Sequence, residues 1–318
     1  MSARSTGGQA PDVPGTEASG VVLVDKPQGW TSHDVVGRVR RLAGTRKVGH
    51  AGTLDPMATG LLVVGVNKAT RLLTAITGTD KTYTATIRLG QSTVTDDAEG
   101  EVVQTRLANA VTPERVAEQV AALTGEILQA PSAVSAVKVA GRRAYDRVRA
   151  GEDVTLDARP VTVHEFTVHE LRRLDGGRLV DLDVTVRCSS GTYIRALARD
   201  LGEALETGGH LTALRRTAVG PFDVADALSL EALAERFAMT ELSEAAAGLF
   251  PVRELTEHEA HELAFGRVVA PTGTGETLVA GRAPDGRVIA LVSDVRRRGD
   301  DVAKPQLVFA PAEGPGQG

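Results

Sequence analysis

The chain has few aromatic residues and a single cysteine, and both shortages limit what it can be. Phe, Trp and Tyr make up 3% of its 318 residues, so its core must consist mainly of aliphatic side chains. Because Cys188 is alone, an internal disulfide and a cysteine-based zinc site are excluded. This cysteine usage fits a reducing compartment, and we expect a cytoplasmic protein.

Long apolar runs and nucleotide-binding loops are also missing. The apolar run "GLLVVGV" at 60–66 is far shorter than the roughly 18 residues of a transmembrane helix. The N-terminus has no basic start followed by an apolar stretch, so we expect no signal peptide and no membrane association. The glycine-rich segment at 49–60 has neither the P-loop ending nor the dinucleotide-binding spacing.

The charge is negative overall but unevenly distributed. A net charge of -5 argues against a protein that binds nucleic acid through a general positive charge. Between residues 21 and 75, however, eight Lys and Arg stand against three acidic residues, and a second basic cluster occupies 141–151. Such clusters can hold a phosphate backbone locally. On charge alone, ordinary solvated helix faces are the favoured explanation.

Apolar periodicity predicts an α+β fold with a mostly antiparallel sheet, because strands, helices and hairpins alternate irregularly. We expect strands at "GVVLVDK", "GLLVVGV" and "KTYTATIRLG" and a hairpin around Asp175-Gly176-Gly177. Helices are expected after Thr31 or Ser32, from Pro113 and over "GTYIRALARDLGEALETGG". The segment "STVTDDAEGEVV" is expected to be a polar loop.

The domain division that we predict follows changes in composition. Residues 1–18 and 313–318 are rich in small and polar residues and are expected to be disordered tails. Residues 19–248 are expected to form the main domain, and 249–312 a small β-rich C-terminal domain.

Asp55 is the acidic residue whose position is most unusual. It lies in "KVGHAGTLDPMATGLLVVG", before Pro56 and between Gly52 and Gly60, at the start of a buried strand. Glycines permit backbone conformations that other residues resist, and proline restricts the residue before it, so the loop should be stiff. A stiff loop suits a nucleophile or base. Asp before Pro is also common as a simple turn residue.

Other polar residues have two possible interpretations. Tyr83 is either a half-buried strand aromatic or a stacking platform for a base. Arg195 follows "SSGTY" and lies off the apolar stripe of its helix, so it is either a surface arginine or the partner of a buried carboxylate. The motif "HEAH", from His258 to His261, lacks the spacing of a zinc protease, and no metal site is expected.

Several of these segments together resemble the TruB family of tRNA pseudouridine synthases. The resemblance covers nearly the whole expected ordered chain, and the block centred on "GTLDP" is highly specific. The other blocks, in the order of the family, are "DKPQGWTSHDVV", "KTYTATIRLG", "CSSGTYIRALARDLG" and "HLTALRRTAVGPF". Two segments depart from the usual pattern: Ser132 and Val134 replace a proline and a tyrosine, and Val94 replaces a common aspartate.

The resemblance implies isomerisation of the uridine at position 55 in the T-loop of tRNA to pseudouridine, with base flipping and without a cofactor or metal. It implies a catalytic domain followed by a small PUA-like RNA-binding domain. We expect a monomer by default. It assigns Asp55 as the catalytic aspartate, Tyr83 as the residue stacked on the base and available for proton removal, and Arg195 as the partner of the aspartate. The further residues that it implies are His50 beside the flipped nucleotide, Tyr193 and Leu214 in the uracil pocket, and Lys26 with Pro27 in the turn below the catalytic loop.

Three questions stay open at this point. The resemblance does not say which atom Asp55 attacks or whether a sugar proton is removed instead. A synthase with another or broader RNA target would carry the same blocks. A non-catalytic RNA-binding protein or tRNA-folding chaperone is the alternative from another class, although intact Asp55, Tyr83 and Arg195 argue against lost chemistry.

Overall fold

The computed structural model describes residues 18–132, 138–139, 142–143, 157–297 and 299–309. The predicted tails therefore lie outside the described residues, except for residue 18. The same holds for Val134 and for the basic cluster at 141–151, apart from two backbone positions. Within the described residues, the α-helices are α1 (Ser32–Ala43), α2 (Leu73–Gly78), α3 (Pro113–Ala122), α4 (Ile194–Ala204), α5 (Leu230–Glu235), α6 (Leu242–Leu249) and α7 (Glu257–Ala264). No described helix is long and apolar enough to cross a membrane.

The strands fall into two main sheets and two short hairpins. The first half of the chain contributes β1 (Gly20–Lys26), β2 (Val48–Ala51), β3 (Thr59–Val66), β4 (Lys81–Leu89), β5 (Gln91–Thr93), β6 (Val102–Thr105), β7 (Gly125–Gln129), β8 (Lys138–Val139) and β9 (Arg142–Arg143). The second half contributes β10 (Arg159–Leu174), β11 (Leu179–Cys188), β12 (Gly209–Val219), β13 (Phe222–Asp223), β14 (Thr240–Glu241), β15 (Val252–Glu254), β16 (Val279–Arg282), β17 (Val288–Arg297) and β18 (Asp300–Val308).

The large sheet has the strand order β14-β1-β3-β12-β4-β11-β10-β7, with β2 added to β3 and β13 to β12. All of its pairs are antiparallel except β3 with β12, which confirms the predicted fold class. The predicted hairpin around Asp175-Gly176-Gly177 joins β10 to β11. The predicted polar loop at 92–103 contains the ends of the β5–β6 hairpin, so that expectation was only partly correct.

Alternation along β4 gives the sheet one apolar and one polar face. Tyr83, Ala85 and Ile87 are buried against α3 and α4, whereas Thr84 and Thr86 point to the opposite face. Both threonines line a groove of about 530 Å³. Helix α4 lies very close to β12, because a Cβ on Gly202 would be 2.2 Å from the backbone of Gly208 and Gly209.

Helix α1 begins and ends with well-formed caps. The Thr31 hydroxyl accepts a hydrogen bond from the Asp34 amide, and the Asp34 carboxylate accepts one from the Thr31 amide, which is a capping box. The helix ends at Gly44, whose φ of 61° is the left-handed conformation that glycine adopts readily. Thr31 is thus the cap, and Ser32 is the first helical residue.

The C-terminal strands form a second sheet in the order β15-β16-β17-β18. This sheet has its own cluster with α7, but one of its faces also joins a hydrophobic cluster of the large sheet. The shared cluster contains Leu61 and Val63 of β3 together with Val288, Leu291 and Phe309.

Candidate active site

Asp55 lies in the loop at 52–58, between β2 and β3, and glycines at both ends are required by the geometry. Gly52 has a φ of +76° and Gly60 a φ of +97°, conformations that side chains rarely permit. A Cβ on Gly60 would also lie 2.3 Å from the Arg216 carbonyl oxygen. The loop is therefore pressed against β12 at its C-terminal end.

The Lys26 ammonium group holds this loop from below. Its Nζ donates to the carbonyl oxygens of Trp30 (2.7 Å), Pro27 (3.1 Å) and Pro56 (3.3 Å), and the residue has no exposed surface. Burial lowers the pKa of Lys26 to about 8, against the opposing effect of the Asp55 charge. The turn at Lys26 and Pro27 thus contacts the Asp55 loop directly.

Two further residues hold the loop, and sequence reasoning missed both. Buried Ser32 donates through Oγ to the Leu54 carbonyl (3.1 Å) and accepts from the Leu54 amide (2.9 Å). Arg216, 1% exposed, donates to the carbonyls of Gly52 (3.0 Å) and Leu61 (2.8 Å). The paired arginines of "LRRT" gave no indication that one points inward.

Arg195 lies beside Asp55 and is buried, so the surface interpretation of this arginine was wrong. Its Nε is 3.0 Å from Asp55 Oδ2, and its Nη1 donates to the Thr95 carbonyl at 2.8 Å. Arg195 is 5% exposed, whereas the Asp55 side chain is 38% exposed. The guanidinium therefore orients a carboxylate that a ligand can still reach.

Asp97 is a second carboxylate near this arginine, and no sequence motif indicated it. Its Oδ2 lies 3.7 Å from Arg195 Nε, and its Oδ1 accepts from the Glu99 amide (3.0 Å) and the Thr95 hydroxyl (2.5 Å). Burial and the negative charges of Asp97 and Asp55 raise the pKa of Glu99. The loop that contains Val94 thus reaches the site through Thr95.

Tyr83 and Leu214 lie on the sheet face that carries Arg216. In the β4–β12 register Tyr83 is opposite Arg216 and Leu214 is opposite Ala85, and both side chains are 7% exposed. Burial raises the pKa of Tyr83, and the Asp55 charge adds to that rise while Arg216 opposes it. Tyr83 is therefore a neutral phenol near pH 7.

His50 and Tyr193 are the remaining residues that the resemblance assigned near the base. His50, on β2, contacts His33 edge-to-face at 5.7 Å between ring centroids. Burial, followed by the charges of His33 and Arg216, lowers the pKa of His50. Tyr193 caps α4, and its backbone amide and carbonyl both bond to the Gln129 side chain. Burial raises the pKa of the Tyr193 phenol, and the Asp55 charge adds to it.

The structure thus brings together most residues that the resemblance assigned. Asp55 contacts Arg195 and acts electrostatically on Lys26, Tyr83 and Tyr193. A partly exposed carboxylate, oriented by a buried arginine and next to a neutral aromatic ring, can act as a nucleophile or base toward a flat ligand. Among the residues that the structure describes, no group of three or more His, Cys, Asp or Glu could hold a metal ion.

Family models match most of the chain. The model described as the TruB family pseudouridylate synthase N-terminal domain matches residues 40–194. Two further models, described as the tRNA pseudouridylate synthase B C-terminal domain and the tRNA pseudouridine synthase II C-terminal region, match residues 195–271 and 250–310.

Individual proteins show the same similarity. A protein of Arthrobacter sp. (strain FB24) named tRNA pseudouridine synthase B is 65% identical over 308 residues, covering 94% of this chain and 99% of the relative. One of the same name from Thermobifida fusca (strain YX) is 60% identical over 295 residues, with coverages of 92% and 99%. Among solved structures, a chain of a Cbf5-Nop10-Gar1 complex matches with a TM-score of 0.70 and 26% identity, covering 92% of this chain and 85% of that chain.

Proposed function

The chain belongs to the TruB family of pseudouridylate synthases, and from this premise we propose that it isomerises uridine 55 in the T-loop of tRNA to pseudouridine. The contact between Asp55 and buried Arg195 is the observation that carries the proposal, because it presents one oriented carboxylate at an accessible position. The protein is an isomerase that acts on tRNA, and we place it in the cytoplasm and treat it as a monomer.

The reaction itself explains why side chains suffice. The bond between uracil N1 and ribose C1′ breaks, the uracil turns, and C5 bonds to C1′ while C5 loses a proton and N1 gains one. Atoms and electrons balance within the nucleotide, so no redox partner or phosphoryl donor is involved. The Asp55 carboxylate either adds covalently or removes a sugar proton, and both routes need it at a fixed position.

The substrate base must leave the T-loop stack before it reaches Asp55, at a cost of a few kcal/mol. Tyr83 offers a neutral aromatic ring for stacking, and Leu214 extends the apolar wall on the same sheet face. The raised pKa of Tyr83 supports stacking as its main role, because a phenol is a poor base near pH 7. His50 and Tyr193 flank the base, and neutral His50 fits insertion into the space that the base leaves.

We propose that residues 19–248 carry the chemistry and that residues 249–312, with the PUA-like β-sheet, contact RNA farther from the target uridine. Recognition by loop shape and unstacked bases fits an RNA hairpin, because the deep major groove of an RNA helix hides base edges.

The decisive experiment incubates the protein with an unmodified T-arm stem-loop and maps pseudouridine. Asp55→Asn should lower turnover by on the order of 10³-fold or more while RNA still binds, because the amide keeps the shape and loses the charge. Asp226→Asn, at an exposed aspartate outside the Arg195 contacts, should turn over normally. Retained conversion by Asp55→Asn would refute its role, and binding without conversion by the wild type would favour the chaperone alternative.

A further inference from the structure

The exposed side of α1 forms a groove of about 420 Å³ next to the active site. Its lining residues share one side of the helix start and the turn before it: Gly29, Trp30, His33, Asp34, Gly37 and Arg41. We name it the α1 groove. It is not part of the arrangement around Asp55, Arg195 and Tyr83 described above.

Trp30 is the sole tryptophan of the chain, and 37% of it is exposed. The backbone of Trp30 is held in place by a hydrogen bond, because its carbonyl accepts from buried Lys26 at 2.7 Å. An exposed indole on a fixed turn offers a large flat surface at little cost in conformational entropy. Such a surface is suited to stacking against another ring.

Gly37 is in the middle of α1 without a packing reason. A helix-interior glycine costs about 0.5–1 kcal/mol relative to alanine. Yet a Cβ at Gly37 would meet no atom within 4 Å, and its φ is not positive. The missing side chain therefore benefits neither packing nor backbone conformation, but it leaves the floor of the α1 groove open.

Charge at the groove favours an anionic ligand. The exposed Arg41 guanidinium forms no ion pair or hydrogen bond within the described part of the chain, and Arg46 and Lys47 are exposed just beyond the helix. Asp34, the one acid in the lining, is held by Thr31, and these hydrogen bonds lower its pKa. Arg41 is thus available to a phosphate.

Two contacts link the α1 groove to the neighbourhood of Asp55. His33 of the groove contacts His50 edge-to-face, at 5.7 Å between ring centroids. The Trp30 carbonyl and the Pro56 carbonyl share the Lys26 ammonium, so the Trp30 turn and the Asp55 loop are linked by one group. A ligand in the groove would therefore extend from the neighbourhood of the reacting nucleotide.

We propose that the α1 groove holds a second, unpaired nucleotide of the substrate RNA, close to the flipped uridine. Its base stacks on Trp30 above Gly37, and its phosphate contacts Arg41. This inference rests on the proposed function, because it takes the RNA at the groove to be the same molecule that enters the Asp55 site. Stacking on an indole accepts any base, so the subsite adds affinity more than sequence preference.

The single tryptophan makes the subsite directly measurable. Titration of Asp55→Asn protein with the T-arm stem-loop should quench its tryptophan fluorescence, because only Trp30 emits and stacking quenches an indole. In steady-state assays with otherwise wild-type protein, Trp30→Leu should raise KM about 10-fold, within the range for one stacked base, with kcat changed less than 2-fold. Trp30→Phe should restore most of the affinity.

Gly37→Gln separates ligand binding from folding. Glutamine is a better helix former than glycine, so Tm should rise while the side chain fills the groove and weakens RNA binding about 10-fold. Gly248→Gln is the matched control: Gly248 is helical, exposed and equally free of neighbours, and the change should leave RNA binding unaltered.

The outcomes separate this inference from the proposed function. If the wild type converts the stem-loop but RNA causes no quenching and Trp30→Leu and Gly37→Gln keep the wild-type KM, the subsite is refuted and the proposed function stands. If the wild type neither binds nor converts the RNA, the proposed function fails and the subsite with it. A KM increase in Gly37→Gln matched by Gly248→Gln would also refute the subsite.

Discussion

The Asp55 loop and the α1 groove use neighbouring residues in opposite ways. Ser32 is 1% exposed and bonds twice to Leu54 of the loop, whereas Trp30, two residues earlier, is 37% exposed. The loop is held by buried polar groups whose partners are all within the protein. In the groove, the Trp30 ring and the Arg41 guanidinium are exposed and available to an external ligand. The difference predicts that buried contacts control kcat and that exposed contacts control affinity.

Arg195→Lys should have the largest effect among the tests of this comparison. Lysine keeps the positive charge but cannot reach Asp55 Oδ2 and the Thr95 carbonyl with one planar group. The carboxylate would shift, and a displacement of about 1 Å can cost on the order of 10²-fold in rate. Single-turnover kinetics should show this loss in the chemical step, with RNA affinity within about 2-fold of wild type. Near-normal turnover would remove the proposed role of the pair.

Ser32→Ala should have an intermediate effect and show it in both stability and rate. It leaves the Leu54 amide and carbonyl buried without partners, which costs about 1–3 kcal/mol in the free energy of unfolding. Because Leu54 precedes Asp55, kcat should also fall, by about 10-fold.

Thr31→Ala is the control for this variant. It removes the helix cap at a comparable cost of about 1 kcal/mol, but the Thr31 side chain bonds to Asp34 and, among the described residues, not to the Asp55 loop. Denaturation should show the lower free energy of unfolding of Thr31→Ala, whereas turnover assays should give a kcat near the wild-type value. Equal kcat values in the two variants would show that Ser32 acts on stability alone.

Arg41→Ala should have the smallest effect, confined to binding. Loss of one phosphate contact should reduce the slope of log affinity against log salt by about 0.7–0.9 and leave kcat unchanged. Binding isotherms of the stem-loop at several salt concentrations measure this slope. Arg178→Ala, at an exposed arginine on the β10–β11 turn, should leave the slope as in wild type. An unchanged slope in Arg41→Ala would place the phosphate elsewhere.

Local patterns predicted several elements of the fold, although they did not predict β12, a central strand of the large sheet. Alternation predicted β4, the continuous apolar run predicted β3, and Pro113 marked the start of α3. The exposed strand β6, Val102–Thr105, was missed because none of its residues is buried and no alternation marks it. A strand without buried residues has no alternation of apolar and polar side chains by which the sequence could reveal it.

The candidate site was predicted from the family motifs, and this prediction did not include all of the residues that hold the Asp55 loop. Arg195 lies off the apolar stripe of α4, which normally indicates a surface position. In the structure it is buried beside Asp55 and Asp97, which belong to loops distant in sequence. Ser32 and Arg216 hold the Asp55 loop through backbone carbonyls, and backbone partners have no sequence signature. Polar residues that are buried by long-range contacts are therefore the site residues that cannot be predicted from a single sequence.

The hydrophobic cluster that the two sheets share has a consequence for the architecture as a whole. Val288, Leu291 and Phe309 belong to the same buried hydrophobic cluster as Leu61 and Val63, on the strand that follows the Asp55 loop. Without the C-terminal residues, this cluster would lose part of its buried apolar surface. The C-terminal sheet therefore contributes to the core beside the catalytic loop. If evolution or engineering replaced this sheet, the new sheet would have to supply equivalent apolar contacts to that cluster.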